Sequence, residues 1–96
     1  MVSKVSEITI EDIIVFANIG EVDDADKKLL GTLLIIAKDF IKNYTALEDL
    51  DEYADLVIVV YILVQDMWDN RTMYIDKGNM NKVVQTVLDM HTRNNL

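Results

Sequence analysis

The apolar positions along the chain fall into four stretches of helical period. In the first, Ile10, Ile13, Ile14 and Ala17 recur at the i, i+3, i+4, i+7 spacing of one helix face. Thr9 is placed to cap this helix, with Asp12 answering three residues on. Ile8 and Ile13 have the spacing of a hydrophobic staple. Asn18-Ile19-Gly20 closes the stretch, and Gly20 is the residue expected to take the left-handed stop.

The second stretch opens at Val22-Asp23-Asp24-Ala25-Asp26, where carboxylates both cap a helix and favour the positive end of its dipole. Leu29, Leu33, Ile36, Phe40 and Tyr44 then form one apolar line, and Leu30, Leu34, Ala37 and Ile41 the adjacent one. Two adjoining lines make a wide stripe, which predicts a helix packed against more than one neighbour. Gly31 interrupts it at a cost of about 1 kcal/mol relative to Ala and reads as a neutral surface position rather than a close helix crossing.

A polar break, Asn43 to Glu52, separates this helix from the third. Thr45 with Glu48, Asp49 and Asp51 are all candidates to start the next helix, and local grammar does not choose among them. The third stretch runs to about Asn70 and is apolar almost all round from Leu56 to Val64, which predicts the central, most buried element. Val57, Ile58, Val59, Val60 and Ile62 are β-branched and taken alone allow a buried strand. The absence of Gly and Pro from Glu52 to Asp69, and the line Tyr61, Val64, Trp68, favour a helix. Arg71 to Gly78 reads as a loop with room for a short extended piece at Met73-Tyr74-Ile75 and a turn at Asp76-Lys77-Gly78. Asn79 is the expected cap of a fourth helix bearing a single narrow seam, Met80, Val83, Val84, Val87, Leu88 and His91. The tail from Arg93 to Leu96 is polar and expected to fray.

This pattern predicts an all-α fold: one domain over 1–96, a small bundle of about four helices around a central apolar helix. Composition adjusts the picture slightly. The chain is 51% apolar before its three glycines are counted, against roughly 45–50% with glycine included for soluble domains. The surplus hints at apolar surface kept for another subunit. The longest unbroken apolar run, the nine residues Leu56 to Val64, falls well short of the about 20 that a membrane-spanning helix needs. The first residues lack the basic-then-apolar order of a signal peptide, so no leader is expected. Without cysteine, disulfides and thiolate chemistry are excluded.

Nine basic against seventeen acidic residues leave a net charge of −8. Such a surface repels phosphate backbones, since binding to them draws on Lys and Arg releasing counterions. Lys27-Lys28 is the only adjacent basic pair, so specific nucleic-acid binding is not expected. Catalytic constellations are absent too. His91, the single histidine, lies on the seam of the last helix and reads as a packing or surface residue. The serines and threonines have no base beside them, and Gly20, Gly31 and Gly78 are too scattered to cradle a phosphate. Asp23/Asp24/Asp26 and Glu48/Asp49/Asp51/Glu52 lack the ligand order of a calcium loop and read as caps and solvated surface. No catalytic residue, cofactor or metal is assigned, and the chain is not expected to be an enzyme.

The order of parts nevertheless has a counterpart. The run Ile8-Thr9-Ile10-Glu11-Asp12, a short helix, then Asp23 to Leu30 and on to Ala37-Lys38-Asp39-Phe40-Ile41-Lys42-Asn43-Tyr44-Thr45 is similar to the opening half of the head–tail connector proteins of long-tailed phages. Val64-Gln65-Asp66-Met67-Trp68-Asp69-Asn70-Arg71 resembles the close of that family's long buried helix, and the turn and helix from Gly78 to His91 also match in order. The likeness covers nearly the whole chain, although each motif is mostly helix grammar. That family often carries Pro before the long helix and in the loop after it, and this chain has none, which leaves the starts of helices three and four open.

The resemblance implies a structural virion protein, assembled in a bacterial host cytoplasm. It would form a homo-oligomeric ring, commonly a dodecamer, between the portal protein and a tail-completion protein. DNA would slide past it without being held. For this role the interface candidates are Met80, Val83, Val84, Val87 and Leu88 on the last helix, with Trp68, Arg71 and Tyr74 just before it. The loop and fourth helix are then expected to be the most variable part. The alternative is a small helical regulatory or adaptor protein that holds a host or phage protein in an apolar groove.

Overall fold

A computed structural model describes residues 2–92, and over that span the chain is helical, with no strand among the described residues. A 3-10 turn at Val5–Glu7 leads into α1 (Ile10–Phe16). The long α2 (Asp24–Thr45) follows, then a 3-10 turn at Leu50–Glu52, α3 (Asp55–Asn70), a 3-10 turn at Lys77–Asn79 and α4 (Lys82–His91). At 1.5 Å per residue α2 is roughly 33 Å long, the longest helix described in a molecule measuring 46 × 28 × 18 Å.

The first two helices begin where their caps predict. Thr9 Oγ1 accepts from the Asp12 amide while the Asp12 carboxylate accepts from the Thr9 amide, a complete capping box. Asp23 and Asp26 repeat the arrangement at the start of α2. Ile8 and Ile13, the staple pair, are both in the core.

The helix ends differ from expectation in one instructive way. Asn18, not Gly20, takes the left-handed conformation after α1, at φ 53°, and no glycine in the described chain has positive φ. Ile19 N–H reaches the Ile14 carbonyl and Asn18 N–H that of Val15, the paired bonds of a Schellman motif. Asparagine tolerates this conformation, so the turn closes two residues before Gly20 is reached. The same pair of bonds closes α3, from Thr72 to Met67 and from Arg71 to Trp68, with Arg71 at φ 53°. Ala46 is left-handed after α2, at φ 59°.

Between α2 and α3 none of the candidate caps starts the helix. Thr45 belongs to the last turn of α2, where its buried hydroxyl donates to the Ile41 carbonyl and accepts from Leu47 N–H. Asp49 caps the 3-10 turn instead, and α3 begins at Asp55 without a side-chain cap. Leu47 and Leu50 are buried, so this polar-looking connection is anchored by two leucines. At α4 the cap is Asn81, accepting from Val83 and Val84, rather than Asn79. Asn79 is instead drawn into the Asp76 turn by its side-chain amide. Met73 and Tyr74 lie in bends rather than a strand, as expected of an extended piece with no free edge to pair with.

α3 is the centre of the bundle. Leu56, Val57, Val59, Val60, Tyr61, Leu63, Val64 and Met67 are all buried, and α1, α2 and α4 each pack on it. The wide stripe of α2 meets three neighbours, α1, α3 and α4. Phe16 of α1 lies against Tyr61 of α3 with ring centroids 4.9 Å apart. Packed against so much apolar surface, the Tyr61 phenol has its pKa raised, first by burial and then by the nearby Asp12 charge. No helix among the described residues is long and apolar enough to cross a membrane.

Candidate interaction surfaces

The α4 seam splits in two when the helix is docked. Val84 and Leu88 are fully buried against the rest of the core, Met80 and Val87 are half-buried, and Val83 is 61% exposed. An amphipathic helix of ten residues gains most by turning its apolar face to the largest apolar surface within reach, here the sides of α2 and α3. Val84 and Leu88, expected at an interface, therefore hold α4 to its own subunit. Val83 remains available to a partner, as does Met90 near the end of the helix.

Two polar contacts fasten the far half of α4. The Tyr44 hydroxyl donates to Asp89 Oδ1 at 2.7 Å, and this bond raises the tyrosine pKa, with burial and the Asp89 charge acting in the same direction. His91 Nε2 lies 2.9 Å from both carboxylate oxygens of Asp55, and its ring packs on Tyr53 with centroids 4.5 Å apart. A third long-range tether joins the first two 3-10 turns: Ser6 donates both its amide and its hydroxyl to Asp51, holding that carboxyl below its ordinary pKa. These pairs lie 36 to 45 residues apart. No local spacing announces them, and His91 has no sequence signal beyond its place on the seam.

Trp68 and Arg71 are brought together. The Arg71 guanidinium sits 4.1 Å from the Trp68 ring centroid and donates to the Trp68 carbonyl, so the two residues cap and cover the end of α3. Tyr74 stands apart from them, 65% exposed on the loop. It lines a groove of about 410 Å³ between the C-terminal half of α3 and the loop before α4, together with Leu63, Asp66, Met67, Asp76 and Met80. The Asp66 carboxyl has its pKa raised, first by desolvation and then by the neighbouring charge of Asp69. Asp76 is shifted the other way, because its carboxylate accepts from Asn79 and from Gly78 N–H. A second hollow, between α2 and α4, is lined by Tyr44, Lys77 and Asp89, and Lys77 Nζ there lies about 6 Å from the ring centroids of Phe40 and Tyr44.

The remaining exposed apolar side chains are spread over the bundle: Val15 of α1 at 80%, Ile35 of α2, and Met73 of the loop. The acidic runs resolve into caps and tethers. Asp23 and Asp26 form a capping box, Asp49 caps a turn, and Asp51 binds Ser6. Among the described residues no three His, Cys, Asp or Glu side chains gather as a metal site would require. Comparison of the chain with protein-family models, with curated proteins and with solved structures returned no match.

Proposed function

We propose that this protein is a structural subunit of the head–tail connector kind, one that assembles as a ring beneath a portal and carries the DNA channel toward the tail. The observation that carries the reading is the colinear order of parts in the sequence: a capped short helix, a long amphipathic helix, a buried helix closing on Trp68-Asp69-Asn70-Arg71, and a turn with a final helix. Two structural features are in keeping with it. Large apolar side chains stand in solvent on three different helices, at Val15, Ile35, Val83 and Met90, and a head-to-tail ring needs two different patches on every subunit. The net charge of −8 suits a channel wall that DNA must pass without being held.

Sedimentation velocity across a concentration series, with electron microscopy of the largest species, tests the proposal. A ring former shows concentration-dependent growth toward a closed assembly, and it attaches to portal-bearing heads. A chain that stays monomeric throughout and ignores such heads overturns the reading. The second reading, a small adaptor that holds a protein partner, draws on the groove beside α3 and expects a monomer or dimer at every concentration.

A further inference from the structure

We propose that the groove between the C-terminal half of α3 and the loop before α4 seats an arginine side chain presented by a partner protein. Its lining includes the half-buried Ile75 and Met80 beside the almost fully covered Leu63 and Met67, and its charged side chains, Asp66 and Asp76, are both acidic. Arginine matches that combination. Its alkyl stem lies along apolar surface while its head stays polar, and its planar fork of donors matches the two oxygens of a carboxylate such as that of Asp66. The exposed ring of Tyr74, also in the lining, offers a face on which a guanidinium stacks.

The groove's own neighbours do not supply this cation. Arg71, one residue past α3, is turned onto Trp68. Lys77, in the loop, is directed toward Phe40 and Tyr44 at about 6 Å. Among the described residues the Asp66 carboxylate accepts no hydrogen bond and meets no cation within ion-pair distance, while its backbone carbonyl is taken by Asn70. Asp66 is also partly desolvated and sits near Asp69, so its negative charge is held at a disadvantage that an incoming cation would relieve. Asp76 keeps acceptor capacity beyond its two turn bonds.

The test follows the methionine methyl signals of the whole protein by NMR. The probes are N-acetylarginine amide and N-acetylcitrulline amide, the latter of like shape but uncharged. The arginine probe is expected to shift Met67 and Met80 saturably, and citrulline to bind about tenfold more weakly or worse, the factor a charge-assisted contact of about 1.4 kcal/mol represents. Asp66→Asn should reduce arginine binding to the citrulline level, whereas Glu48→Gln, outside the groove lining, should leave it unchanged. The ligand-free methyl spectrum reports whether each variant is folded, and the comparison of the two probes on the parent needs no variant. Equal binding of the two probes, shifts that fail to saturate at Met67 and Met80, or full affinity in Asp66→Asn would each overturn the proposal.

Discussion

Truncating Leu88 to Ala asks whether α4 belongs to the subunit's own core or is an arm held ready for a neighbour. Leu88 is fully buried, with Val84 as the only other fully buried side chain of its helix. Removing its isobutyl group loses the transfer free energy of the deleted atoms and leaves a cavity, together about 2–5 kcal/mol for Leu→Ala in packed cores. Because α4 is short, it can relax into part of that space, which places the expected loss at about 2–3 kcal/mol. A domain of this size has some 5–15 kcal/mol in total, so such a loss is a large, easily measured fraction. Urea unfolding followed by far-UV circular dichroism gives the value, with two reference variants alongside. Leu63→Ala in the middle of α3 should lose at least as much, and Val83→Ala on the solvent side of α4 should stay within about 0.5 kcal/mol. If Leu88→Ala also stays within about 0.5 kcal/mol while Leu63→Ala does not, α4 is undocked in solution and the packing argument fails.

Four further outcomes are expected. Ala46→Gly should raise stability by about 0.5–1 kcal/mol, because the left-handed φ of 59° strains an alanine by about 1–2 kcal/mol and glycine gives part of that back as unfolded-state entropy. Gly31→Ala should gain up to about 1 kcal/mol from helix propensity, since the added methyl meets only Ile10 Cδ1 at an ordinary 3.6 Å. A loss in either variant by thermal unfolding would show that the helix backbone is not as described. Asp51 has a folded pKa below its unfolded value, so its stabilisation is present above the ordinary aspartate range and is lost as pH falls through and below about 4. Asp51→Asn should therefore flatten the acid limb of a stability–pH curve, and an unchanged limb would mean that the Ser6 tether does not persist in water. Asp66, raised rather than lowered, should behave oppositely: Asp66→Asn should be no less stable than the parent at neutral pH, and a clear loss there would show that its carboxylate is already paired.

Much of this architecture depends on contacts a few residues long, and that part was readable from the sequence. A capping box needs only residues three apart, so Thr9 with Asp12 and Asp23 with Asp26 marked the starts of α1 and α2. The all-round apolar run from Leu56 to Val64 could be stable only in the centre of a bundle, and α3 lies there. Where several local solutions were close in energy, tertiary packing chose among them. Burial of Leu47 and Leu50 set the path between α2 and α3, leaving Thr45 inside α2 and Asp49 on a turn. Asp76 drew Asn79 into its own turn and passed the capping of α4 to Asn81. The direction of the α4 seam lay furthest from the sequence's reach. A stripe of Met80, Val83, Val84, Val87 and Leu88 states that one face is apolar, but not whether a partner or the subunit's own α2 and α3 will cover it. Intramolecular docking prevails because those surfaces are tethered and always within reach, and Tyr44–Asp89 and Asp55–His91, pairs that exist only after folding, fasten the helix there.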